Sequence, residues 1–217
     1  MRYLALEQAL SKCHAAVICD VLDRLDRRTQ CMTPHIRPLL ASMRVWGEAV
    51  TARFDAVHRV SEQPFELEMA VTDSLREGQV LVSQCDSRQP AAAWGGLLTA
   101  AAKSRSARGV VTDGSVRDYA EITEQCFPTF CAGLTPYDSL GRMDVTAINI
   151  PVVCGGVAVQ PGDLIFGDAD GIVVVPAEIA HRVVALATEK MSAEAAVRNR
   201  LRSGASVSET YREYGTL

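Results

Sequence analysis

The chain has 217 residues, of which 48% are apolar and 22% charged, and its net charge is −4. That length supports one well-cored domain and is short for two. The mild acidity, without a basic stripe or an aromatic RNA-binding run, argues against nucleic acid as a partner, and no apolar run approaches the roughly 20 residues that span a bilayer.

Helical spacing begins at residues 4–10 and resumes over 15–25, where Val17, Val21, Leu22 and Leu25 share a face. The first of these segments is charged and lacks a continuous apolar stretch, so no signal peptide is expected. Seven scattered cysteines (Cys13, Cys19, Cys31, Cys85, Cys126, Cys131, Cys154) contain no C-x-x-C, which fits reduced thiols in a cytoplasm. No Cys/His group has zinc-site spacing. Pro34 and Pro38 prevent helix in the segment that follows. Strands are predicted over 45–54 and 79–83, with a helix over 65–75 between them that stops at Gly78.

Next comes GGLLTAAAKSRSARGVVTDGSVRDYAE, residues 95–121. It reads as a Gly-Gly turn, an alanine-rich helix, a short buried strand over 109–113, a Gly turn and then Arg117-Asp118. Downstream, 127–130 begins a short strand and 144–153 alternates as a β-branched strand. Turns at Pro161-Gly162-Asp163 and Asp168-Ala169-Asp170-Gly171 frame strands over 164–166 and 172–175. One long amphipathic helix runs from 177 to about 203. Short strands mixed with helices indicate an α/β domain with a β-rich C-terminal half, a single unit over 1–217.

Several side chains in the central segment could carry chemistry, each with a plainer alternative. Gly95-Gly96 before a helix can aim backbone N–H groups at an anion, or simply form a tight turn. Arg117 offers a planar fork for a carboxylate or enolate oxygen, and Asp118 is a hard ligand suited to magnesium or manganese. Equally, Asp118 can cap the next helix with Glu121 as its box partner. Glu121 is then either a second carboxylate facing a metal or a capping residue. Asp113 either orients Arg117 or closes a turn, and Asp168 and Asp170 read as turn residues because the rest of a calcium loop is missing. His14, His35, His58 and His181 lack a nucleophile signature, and Lys103 reads as a solvated helix residue.

The spacing Gly96, twenty residues, Arg117-Asp118, two residues, Glu121 matches a G-x20-R-D-x2-E/D motif. Together with VICDVLDRL, GVVTDGSVRD, PTFCAGLTP and GGVAVQPGDLIFGDADGIVVVP, it resembles the RraA-like proteins. That superfamily includes the 4-hydroxy-4-methyl-2-oxoglutarate / 4-carboxy-4-hydroxy-2-oxoadipate aldolases. The resemblance implies a compact swivelling α/β fold with a layered sheet core. It also implies homotrimers or hexamers, with the C-terminal helix at a subunit interface and active sites between subunits. It assigns substrate-binding backbone to Gly95, Gly96, Leu97 and Leu98, substrate contact to Arg117, and a Mg2+ or Mn2+ ligand to Asp118. Glu194, in E-x3-R-x2-L-x2-G, is the candidate that reaches in from a neighbour. The implied chemistry is metal-dependent cleavage of a 2-oxo acid to pyruvate, with oxaloacetate decarboxylation. The alternative is a non-enzymatic regulator that docks on an RNase E-like partner. One departure stands out: the characterised aldolases carry an aspartate where this chain has Gly96.

Overall fold

The computed structural model describes residues 2–86 and 90–215. After a 3-10 turn at Leu4–Leu6 come α1 (Glu7–Leu10), α2 (Ala15–Arg24), β1 (Arg37–Pro38), β2 (Val45–Ala56), α3 (Glu66–Ser74) and β3 (Gln79–Cys85). The middle of the chain forms α4 (Gly96–Ser104), β4 (Gly109–Thr112), β5 (Ser115–Val116), α5 (Tyr119–Glu124), β6 (Thr129–Cys131) and β7 (Gly133–Leu134). The rest is β8 (Met143–Ile148), β9 (Val152–Cys154), β10 (Val157–Val159), β11 (Leu164–Asp168), β12 (Gly171–Val175), α6 (Ala180–Arg202) and α7 (Val207–Tyr214).

The main sheet has the order β1-β6-β4-β3-β2-β11-β12, with β8 also paired to β2. Strands β2, β3, β4 and β6 run parallel, whereas β11, β12, β8 and β1 join antiparallel. The long β2 holds this mixture together. Its first half pairs with β11 and its second half with β8, and a bulge falls between Arg53 and Phe54.

Successive side chains of a strand face opposite sides, and here both sides are covered. On β3, Leu81 faces one layer, where Val71, Leu75, Ala102 and Phe127 pack, while Val80 and Val82 face another with Phe130, Val152 and Val159. On β11 and β12, Leu164, Phe166, Val173 and Val175 meet α2 and α6, while Ile165, Ile172 and Val174 enter the layer of the β9–β10 hairpin. Near-continuous apolar strands such as GVVT and GIVVV follow from this double burial. The result is the expected α/β fold with a layered sheet core and a long C-terminal helix. Among the described residues, no helix is long and apolar enough to cross a membrane.

Three expectations change. The single strand over 144–153 is two strands, because Asn149 takes a left-handed φ of 53° and Pro151 follows. Gly155-Gly156, both at positive φ, then turn β9 into β10, a two-residue hairpin turn that glycine serves well. The long helix starts at Ala180 rather than 177, since the Ala177 N–H donates to Asp163 Oδ1 (3.0 Å) and residues 177–179 form a turn. Beyond it lies α7, which the sequence reading omitted. Ser206 and Glu209 close a reciprocal capping box at its start.

Acidic turn residues act as pins. Asp113 accepts the Cys85 N–H (2.7 Å) and the Gly155 N–H (3.1 Å), tying the end of β3 to the β9–β10 turn. Asp168 accepts from Ala15 N (2.9 Å) and Asp170 N (3.0 Å), so it anchors the start of α2. Both therefore take their structural role. Asp113→Ala leaves two N–H groups without partners, at about 1–3 kcal/mol each. Chemical denaturation is expected to show a loss of about 2–4 kcal/mol, with an unchanged denaturant dependence.

Candidate active site

The parallel strands β3 and β4 end side by side, and the loops leaving their carboxyl ends build a pocket, the usual place for a ligand in a parallel sheet. The loop after β3 reaches Trp94 and Gly95 before α4 begins. The Trp94 indole N–H donates to Thr99 Oγ1 (2.8 Å), that hydroxyl donates to Gly95 O (3.0 Å), and the indole stacks on Phe127 at 6.3 Å. These contacts fix where α4 starts. Neither Trp94 nor Thr99 was singled out from sequence.

The loop after β4 reaches Arg117 and Asp118. Arg117 N–H donates to Trp94 O (3.0 Å), which locks the two loops together. Asp118 occupies the N-cap position of α5 but in a left-handed conformation (φ 59°, ψ 40°), and its side chain makes no cap bond. Instead Asp118 Oδ2 accepts the Gly96 N–H at 3.0 Å. The capping alternative for Asp118 and Glu121 is thereby excluded.

The two glycines make room for carboxylates. A Cβ on Gly95 would lie 2.7 Å from Asp118 Oδ2, and a side chain on Gly96 would run into the Glu121 carboxylate. Asp118 and Glu121 thus converge on the start of α4. There, the Gly96 N–H is taken by Asp118, while those of Leu97 and Leu98 have no acceptor among the described residues. They add two donors to the positive end of the helix.

The Arg117 guanidinium is held from two sides. Its Nη1 lies 3.0 Å from Asp138 Oδ2 and its Nε 3.6 Å from Asp118 Oδ2. Burial works against charge on Asp138, but the Leu140 N–H and the Arg117 guanidinium hold its carboxyl below the usual range. The pocket between these groups is about 250 Å3 and is lined by Glu68, Trp94, Leu98, Arg117, Asp118 and Asp138, among others. Leu97 stands at its mouth, 80% exposed.

Not every sequence candidate lies here. Glu194 sits on α6, where Lys190 Nζ binds it at 2.9 Å and also binds Asp20 at 3.0 Å, and it does not line the pocket of its own chain. Lys103 is tied to the Gln125 carbonyl. None of the four histidines lines the pocket. Glu68, by contrast, was passed over in the sequence, since a glutamate in FELEMA carries no signal.

Among the described residues, no group of three or more His, Cys, Asp or Glu side chains could hold an ion unaided. Asp118 and Glu121 do fit magnesium or manganese, which keep several waters and take one or two carboxylates.

The sequence profile described as RraA-like (Aldolase/RraA) matches residues 15–174. The chain belongs to the RraA-like family. It is 33% identical over 175 residues to a protein of Halalkalibacterium halodurans provisionally named 4-hydroxy-4-methyl-2-oxoglutarate aldolase, spanning 79% of this chain and 78% of that one. An uncharacterized protein of Methanocaldococcus jannaschii is 32% identical over 173 residues, 78% of this chain and 79% of its own. Among solved structures, Streptomyces coelicolor RraAS2, described as an unusual member of the RNase ES inhibitor RraA family, superposes with a TM-score of 0.83. It is 30% identical, over 91% of this chain and 98% of that one.

If Gly96 is glycine because Glu121 fills its side-chain volume, the two positions are coupled. Gly96→Ala should displace the Glu121 carboxylate in the otherwise native protein and be better tolerated in a Glu121→Ala background. A double-mutant cycle by thermal denaturation is expected to give a coupling of about 1 kcal/mol, the range for residues in contact.

Proposed function

We propose that this RraA-like protein is a metal-dependent lyase that cleaves a carbon–carbon bond of a 2-oxo acid and releases pyruvate. Its substrates would be of the 4-hydroxy-4-methyl-2-oxoglutarate type, with oxaloacetate decarboxylation as a second activity. The observation that carries this reading is the convergence, on one small pocket, of Leu97 and Leu98 with their free N–H groups, Arg117 and Asp118, with the Glu121 carboxylate packed against Gly96 at the start of the same helix.

In this reading the start of α4 holds the substrate's C1 carboxylate through Leu97 and Leu98 N–H. Arg117, kept in place by Asp138 and the Trp94 carbonyl, faces the C2 oxygen, where negative charge grows as the bond breaks. Preorganised donors aimed at developing charge make large contributions to rate. Asp118, with Glu121 beside it, would hold the divalent ion, which supplies Lewis-acid stabilisation of the same oxygen. The Trp94 and Phe127 stack backs the pocket and keeps its inner wall apolar.

The assembly proposed is a homotrimer or hexamer in which a neighbouring subunit completes the site. Supporting it, Leu97, Tyr119 and Leu134 are all exposed near Arg117 and Asp118, more apolar surface than an isolated rim needs. Glu194 of such a neighbour is the proposed further carboxylate. All seven cysteines are free thiols, in keeping with a cytoplasmic location.

The test is pyruvate release from oxaloacetate and from 4-hydroxy-4-methyl-2-oxoglutarate, with and without Mg2+ or Mn2+. Wild type should show metal-dependent release, and Asp118→Ala should fall to the metal-only background. Arg117→Ala should lose about 100- to 1,000-fold in kcat, and Arg117→Lys should rescue little of it, because a lysine lacks the planar fork. Wild-type release no higher than metal alone, from both substrates, would overturn the lyase reading in favour of a non-enzymatic regulator that docks on an RNase E-like partner.

A further inference from the structure

Glu68 is the one pocket-lining acid that the scheme above leaves without work. It lies on α3, which packs on β8 and α4, and it is only 8% exposed. On the same helix Leu67 and Val71, and Leu75 just past its end, enter the apolar layer beneath the pocket. Among the described residues the Glu68 carboxylate accepts no hydrogen bond and forms no ion pair, yet it opens on the cavity that holds Arg117 and Asp118. A buried carboxylate without partners costs stability, and an apolar residue at this position would extend the layer at no such cost.

The charged and titratable groups facing it are known from each side. Asp138 lies in the loop before β8, Asp144 is on β8 itself, Arg117 approaches from the far wall, and the Cys85 thiol lies at the end of β3. From α4 only Leu97 and Leu98 face the pocket. Burial, then repulsion by Asp138 and Asp144, raise the Glu68 carboxyl to about 7, with Arg117 pulling weakly the other way. A carboxyl that ionises near neutrality inside a substrate pocket can both take and return a proton at working pH.

We propose that Glu68 is the proton-transfer group for cleavage of 4-hydroxy-2-oxo acids in this pocket. The assignment rests on the lyase function proposed above. Ionised Glu68 takes the proton of the C4 hydroxyl. The O–H electrons form the new carbonyl at C4, the C3–C4 bond breaks, and its electron pair passes into the pyruvate enolate. The neutral Glu68 then returns the same proton to C3, giving pyruvate and a carbonyl product with no outside reactant. Oxaloacetate has no hydroxyl proton to remove, because carbon dioxide leaves directly. Its turnover therefore depends less on Glu68.

The experiment compares wild type, Glu68→Gln and Glu68→Asp with Mg2+ or Mn2+ on both substrates across pH 5 to 9. The glutamine variant is expected to lose about 100-fold or more of kcat on the hydroxy acid, the usual scale of general acid–base catalysis, and at least tenfold less on oxaloacetate. Its kcat/KM should also lose the rising limb near pH 7. The aspartate variant should keep part of the rate and a rising limb. An equal fall on both substrates, or a hydroxy-acid rate and pH profile left intact, overturns the assignment while the lyase function stands. A wild type inactive on both substrates overturns the function and this assignment with it. Folding gives an independent check. Between the ordinary carboxyl value of 4.5 and about 7, the native state keeps a proton that the unfolded chain releases, so stability falls as pH rises. Wild type should lose stability over that window relative to Glu68→Gln, and parallel curves would overturn the proposal.

Discussion

The hydrogen bond from the Gly96 N–H to Asp118 Oδ2 is the constraint on which the rest of the pocket depends. It joins the start of α4, which follows β3, to the start of α5, which follows β5. A bond to a charged acceptor contributes about 1.5–3 kcal/mol, while the left-handed backbone at Asp118 costs about 1–2 kcal/mol. The two are of similar size, so the bond can hold the strained residue in place with little left over. Geometry, rather than stability, is what it secures. It aims one carboxylate at the helix start, and Gly95 must lack a side chain for that carboxylate to fit.

Charge explains the remaining arrangement. Asp118 and Asp138 flank the Arg117 guanidinium and Glu68 shares its pocket, an excess of acid among the described residues. The Arg117 pairs with Asp118 and Asp138 are more than a third exposed, and pairs of that kind contribute about 0–1 kcal/mol. They orient the guanidinium more than they stabilise the fold. An anionic substrate would meet net repulsion from these carboxylates, offset by Arg117 and the free N–H groups of α4. On the proposed function a divalent ion at Asp118 reverses the local sign, which ties substrate binding to metal binding.

Much of the fold was legible because most elements bury one face or both. Helix α2, strands β2, β3, β4 and β12, and helix α6 all follow from the spacing of their apolar residues. The break between β8 and β9 was hidden inside a β-branched run, where Asn149 looked like a polar strand position. Helix α7 had its signal in Ser206-x-x-Glu209, but little of it is buried, so apolar periodicity could not show it. At the site, the spacing of Asp118 and Glu121 serves a capping box and a pair of converging carboxylates equally well. Only the approach of α4, a tertiary contact, decides between them. Glu68 was beyond sequence reasoning for the same reason: its unusual character comes from Asp138 and Asp144, about seventy residues away in the chain.

The contact between Gly96 and Glu121 also bears on the departure from the aldolase pattern. A side chain at 96 and the Glu121 carboxylate compete for one volume, so the two cannot both point into it. Where a relative carries an aspartate at that position, its carboxylate would occupy the space that Glu121 fills here from the first turn of α5. The glycine therefore need not mean a missing acid, since the same place receives a carboxylate from a different helix. The room for the Asp118 carboxylate comes separately, from the missing side chain of Gly95. On the proposed function, glycine at 96 is what lets Glu121 stand as the acid beside the metal, while glycine at 95 lets Asp118 reach the helix start.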